Sequence, residues 1–135
     1  MGSEFTFYDY IDADGSGANV VKEWLNGQGR QAKAYFNRMI SYLEASPPPG
    51  STDSVWHDPY TKAMGGDWKD FVELRKTGRI QYRLIGKVES RGVFLVASGF
   101  HKGSYETDIT PAKGKERVAQ MKNNPAKYRR EHDHS

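Results

Sequence analysis

The chain contains no cysteine. A disulfide framework and a thiolate metal site are therefore excluded, and the absence fits a reducing compartment, so a cytoplasmic protein is expected. No apolar run approaches the roughly 20 residues that span a bilayer, and no membrane partner is expected. The amino terminus has no basic segment followed by an apolar one, so no secretion signal is read there. Residues 1–5 read as a possible cloning remnant. Disorder is excluded too, because aromatic residues make up 13% of the chain. A length of 135 residues fits one domain over 1–135, large enough to enclose a real core.

The net charge of +3 hides an uneven distribution. Residues 1–67 hold five Lys/Arg and nine Asp/Glu, whereas residues 68–135 hold fifteen and eight. The second half is the one to search for contacts to phosphate or nucleic acid, although a basic solvated surface explains the same excess.

Periodicity orders the chain. Thr6 to Ile11 alternates aromatic with polar residues and reads as a strand. Asp12 to Gly17 is a turn cluster, and Ala18 to Asn26 a short helix stopped by Gly27 and Gly29. Ala32, Tyr35, Phe36, Met39, Ile40 and Leu43 recur at the spacing of one helix face, and the prolines from Pro47 end that helix. Ser51 to Gly66 reads as a loop. His57 and Asp58 within it are two adjacent potential ligands, for which a surface hydrogen-bonded pair is the plainer explanation.

From Trp68 the period becomes two. "KDFVELRKTGRIQYRLIGKV" reads as a hairpin. A three-residue loop, Thr77 to Arg79, keeps Leu74 and Tyr82 on one face and sets Glu73 opposite Arg83. Arg75 and Arg83 then become diagonal neighbours, about 7–8 Å apart at the backbone. Val93 to Phe100 reads as a central strand, with the small Ala97 and Gly99 leaving space above one face. Thr110-Pro111 starts a helix running to about Lys122, and 126–135 is a charged tail. The order gives an α+β domain: an N-terminal helical hairpin packed on a small antiparallel β-sheet, then a C-terminal helix.

The segments "DWKDFVELR", "QYRLIG" and "VASGFHKGSYETDITPAKGKERVAQ", in that order, resemble the RelE/ParE toxin superfamily of type II toxin–antitoxin systems, in its HigB-like, phage-derived branch. The resemblance covers roughly residues 18–122. It departs from the family pattern where Gly103 replaces the second lysine of "KK", and where the "TP" is stretched over Thr107 to Pro111. The resemblance implies a RelE-like fold and a ribosome-dependent mRNA endoribonuclease, in which a ribose 2′-hydroxyl attacks its own 3′-phosphate. Neither a metal nor another cofactor is needed. Its implied partners are a cognate antitoxin, expected to be a helix-turn-helix protein, and mRNA with the ribosome.

Under that resemblance Arg83 and Arg75 are the phosphate clamp, since guanidinium suits two phosphate oxygens. A cross-strand pair with Glu73 is the plainer explanation of Arg83, and a solvated strand position that of Arg75. His101 is the acid or base, or a strand-end histidine with one backbone bond. Lys102 holds a phosphate or stabilises transition-state charge. Both can enter one site only if the strand has ended before them, because adjacent strand residues face opposite ways. Tyr105 stacks on a base, donates a proton, or packs in its loop. Candidate RNA-backbone contacts are Lys69, Lys76, Arg79, Lys113, Arg129 and Arg130. His132, Asp133 and His134 read as a chance cluster in an unanchored tail. Two further readings stay open: a ParE-like gyrase inhibitor, and a non-catalytic RNA- or partner-binding domain, which Gly103 and the longer loop favour.

Overall fold

The computed structural model describes residues 5–47, 52–57, 60–102 and 104–134; at 101, 102 and 104–106 the description covers backbone only. Eleven elements other than a 3-10 turn follow in order: β1 (Thr6–Tyr10), α1 (Val20–Gly27), α2 (Arg30–Ala45), β2 (Thr61–Ala63), β3 (Val72–Lys76), β4 (Gln81–Glu89), β5 (Gly92–Lys102), β6 (Ser104–Thr107), α3 (Pro111–Asn123), α4 (Pro125–Tyr128) and β7 (Arg129–Glu131). The 3-10 turn spans Gly66–Trp68. The expected α+β class is observed.

Helix ends follow from local chemistry. The Asn19 side chain accepts the Lys22 N–H at 2.9 Å and caps α1. Gly29, at φ 92°, occupies backbone space that other residues avoid, and so lets α2 start with only two residues between it and α1. Thr110 caps α3 by accepting the Lys113 N–H, with Pro111 in the first turn where its missing donor costs nothing.

The strands run in the order β2-β3-β4-β5-β1-β7, with β6 on β5 beyond the end of β1. The sheet is mixed rather than antiparallel, because β1 runs parallel to β5. A strand also precedes the two helices. One face carries α1 and α2, where Leu25, Phe36, Ile40 and Leu43 meet Phe7, Leu74, Leu84, Val93 and Leu95. The other face carries α3, where Val118 and Met121 meet Ile85, Phe94, Val96 and Ala97.

Two corrections concern register. The hairpin pairs Leu74 with Leu84 and Lys76 with Tyr82, so five residues, 77–81, lie beyond the last β3–β4 pair and not Thr77 to Arg79 alone, with Gln81 already in β4 through its pairing with β5. The shift is even, so each side chain keeps its face. Arg75 nevertheless comes directly opposite Arg83, and Glu73 opposite Ile85. In β5 the pairing jumps from Ile85↔Ala97 to Gly86↔Leu95, leaving Val96 as an extra residue. This bulge turns Ala97 and Gly99 onto the α3 face and sends Phe100 to the other, where its ring lies 6.0 Å from Trp24 and 5.6 Å from Tyr82.

Three segments read as loop or tail are ordered. Thr61–Ala63 forms a short edge strand on β3. The strand expected to end near Gly99 continues to Lys102 and folds back as β6. Residues 125–131 form α4 and β7, and β7 pairs with β1. The expected unanchored tail is therefore corrected: His132 is buried, and its N–H bonds the Phe7 carbonyl at 2.8 Å.

Candidate anion-binding site

Alternation along β3 and β4 puts Glu73, Arg75 and Arg83 on the α3 face. Two arginines in direct cross-strand opposition repel, and an anion between them relieves this. Glu73 supplies it. Its Oε1 lies 3.5 Å from Arg75 Nε and 3.6 Å from Arg83 Nε. Arg83 Nη1 also donates to the Tyr82 carbonyl and Nη2 to Gln81 Oε1, each at 2.9 Å. With 2% of its surface exposed, Arg83 is part of the interior. Arg75 keeps 22% of its side chain exposed and is the arginine that solvent reaches.

Register extends the site across the sheet. One rung holds Arg75, Arg83, Gly99 and Thr107. The next same-face rung holds Gln81, His101 and Tyr105. Gly99, between Arg83 and Thr107, contributes no side chain to this rung. The backbone of Lys102 pairs with Ser104 one rung beyond His101, still within the strand, so the condition for His101 and Lys102 to share a face is not met. The side chains of His101, Lys102 and Tyr105, and Gly103 altogether, lie outside the described residues, as does Asp58 beside His57.

The other basic candidates are dispersed. Lys76 closes β3 and turns to the α2 face, with Nζ 5.5 Å from the centre of the Tyr35 ring and 6.0 Å from that of Tyr82. Lys69 and Arg79 are exposed on turns flanking β3. Lys113 sits in the first turn of α3, 3.5 Å from Glu116. Arg129 and Arg130 belong to β7, at the opposite edge of the sheet from β3. The Arg129 guanidinium lies over Tyr8 at 4.4 Å and Phe94 at 5.1 Å, a structural role in place of a free charge.

Two residues near the site escaped the sequence reading. Arg117 is buried on the inner face of α3, donates to the Val96 carbonyl at 2.8 Å and lies 4.6 Å over the Tyr10 ring. Its place one turn after Gly114 and next to Val118 was the available signal. Asp108, just past β6, accepts the Ser98 N–H at 2.9 Å. Desolvation pushes its carboxyl up from the ordinary value, against the pull of that N–H and of Arg117. Among the described residues, no group of three or more His, Asp or Glu is arranged to hold a metal ion. No described helix is long and apolar enough to cross a membrane.

No family model matches the chain, and neither a curated protein nor a solved structure does so.

Proposed function

We propose that this chain is a RelE-like toxin of a type II toxin–antitoxin system, acting as a metal-independent mRNA endoribonuclease on the translating ribosome. The observation that supports this reading is the direct opposition of Arg75 and Arg83, both turned to one carboxylate oxygen, on the rung next to His101 and Tyr105. Two guanidinium groups against one carboxylate leave a net positive charge at this place, which attracts phosphate on the partly exposed Arg75 side. In this mechanism Arg75 meets the scissile phosphate. Arg83 is a positioning residue: it fixes Glu73 and Gln81 from beneath. His101 and Tyr105 handle the 2′-proton and the leaving 5′-oxygen, and Lys102 binds flanking phosphate. A positioned acid or base supplies roughly 10²–10⁴ in rate.

One observation favours the non-catalytic alternative. Arg83 is buried and held by Glu73, Gln81 and Tyr82, as a structural ion pair would be. One experiment separates the readings. Purified protein is incubated with translating ribosomes and defined mRNA, and fragments ending in a 2′,3′-cyclic phosphate are sought. Cleavage that disappears in a folded Arg75→Ala variant supports the nuclease. Intact mRNA with RNA still bound supports the binding domain, and gyrase inhibition with intact mRNA supports the ParE-like reading.

A further inference from the structure

We propose that a groove on the α2 face is a seat for an unpaired base of single-stranded RNA, outside the arginine site. The proposal rests on the RNA-directed reading above but not on cleavage. The groove has a volume of about 480 Å³ and is lined by Tyr35, Arg38, Met39, Tyr42, Leu43, Val55 and Tyr60. That volume lies within the usual range of small-ligand sites, roughly 300–1,000 Å³.

Three observations select the occupant. Tyr42 is 63% and Tyr60 44% exposed, and Ile80 is the one other large apolar side chain this exposed among the described residues. Two of these three rings or chains thus line one groove, a placement that burial in this chain's own core does not explain. Among the described residues that line the groove there is no carboxylate, while Arg38 stands on its wall and Lys76 Nζ lies 5.5 Å from the Tyr35 ring centre. Aromatic walls with cations beside them match a base between phosphates. The groove also adjoins the arginine site through the sheet edge: Tyr35 Oη donates to the Arg75 carbonyl at 2.9 Å, and Arg75 N–H donates to the Tyr60 carbonyl at 2.8 Å. A stable protein partner covers a face of about 800 Å², whereas the feature here is a pocket of about 480 Å³ walled by tyrosine rings.

The test uses a fluorescent 2′-O-methyl hexanucleotide, which cannot be cut by 2′-attack, and reads binding by anisotropy with the full chain. Tyr42→Ala is expected to weaken binding by roughly 5- to 100-fold, and Tyr42→Phe, which keeps the ring, to stay within about twofold of wild type. Arg38→Gln is expected to lower the slope of log affinity against log salt by about 0.7. Unchanged affinity in Tyr42→Ala overturns the proposal. So does a Tyr42→Ala variant that binds RNA normally while losing a protein partner, which would assign the groove to protein. Wild-type protein that binds the oligonucleotide through Tyr42 yet leaves mRNA intact supports the seat and removes the nuclease. Wild-type protein that cuts mRNA with no dependence on Tyr42 does the reverse.

Discussion

Asp9 and His132 meet in the interior from opposite ends of the chain, with Nδ1 2.8 Å from Oδ1 and each side chain 1% exposed. Asn37 Oδ1 lies 2.8 Å from the other ring nitrogen, and Asn19 Nδ2 donates to Asp9 Oδ2 at 3.0 Å. The network ties β1, α1, α2 and the segment after β7 together. Replacing His132 by Ala leaves the Asp9 carboxylate buried with Asn19 as its remaining side-chain donor. The expected loss is about 3–5 kcal/mol, the range for removing one member of a buried pair. Urea unfolding would measure it; a loss under about 1 kcal/mol would show the network to be dispensable.

That network was not legible in the sequence, for a physical reason. His132 lies in "AKYRREHDHS", where charge outweighs apolar content, and nothing local marks one histidine as buried. The signal was distant: Asp9 is a carboxylate among the aromatic residues of β1. The long amphipathic helix α2 was legible, because six apolar residues at one spacing leave no other reading. So was the shared face of Arg75 and Arg83, because any even register preserves it. Their direct opposition was hidden, since the length of the connection at 77–81 depends on how β4 pairs with β5 at Gln81↔His101. The bulge at Val96 was equally hidden, because an unbroken apolar run does not reveal where its alternation slips.

The arginine pair predicts unequal effects. Arg83→Ala empties a buried position and leaves the Glu73 carboxylate with less compensation, so about 3–5 kcal/mol of stability is expected to be lost. Arg75→Ala opens a partly exposed position, and a loss below about 1 kcal/mol is expected. If the nuclease reading holds, Arg75→Ala lowers cleavage by roughly 10²–10³-fold while thermal unfolding barely moves. Melting curves and single-turnover cleavage on the two variants check this. Equal destabilisation by both would place the two guanidinium groups in one interior unit and remove Arg75 from the solvent side.

Gly114 predicts a packing effect. A Cβ built there would lie 2.6 Å from Trp68 Cζ3, and Trp68 is itself buried beside Phe71. In an exposed helix, Gly→Ala is normally stabilising by about 1 kcal/mol. Here the sign should reverse. Overpacking against this buried ring is expected to cost about 1–3 kcal/mol. Denaturant unfolding of Gly114→Ala gives the sign directly, and a stabilised variant would mean that α3 can lift off Trp68 cheaply.

Acid should act on two carboxylates in opposite directions. The hydrogen bond from Lys87 holds Glu89 below the ordinary carboxylate value, with Lys122 3.4 Å away adding to the effect. Its folded state binds a proton less readily than the unfolded chain, so its contribution is present above the unfolded value and is lost as pH falls through the folded one. Asp108 is pushed up by desolvation, so its folded state binds a proton more readily. Its contribution is full below the unfolded value and is lost as pH rises through the folded one. Asp108→Asn keeps an oxygen to accept the Ser98 N–H and removes the desolvated charge. The variant is therefore expected to melt no lower than wild type at pH 7 and to gain less than wild type between neutral pH and the carboxylate range. Glu89→Gln should instead lose its deficit against wild type as pH falls from the ordinary carboxylate value through the lowered folded one. Melting temperatures of both variants across pH 3–8 test the pair of signs, and a deficit of Asp108→Asn that grows with pH would show that the carboxylate is stabilised by its site and not penalised there.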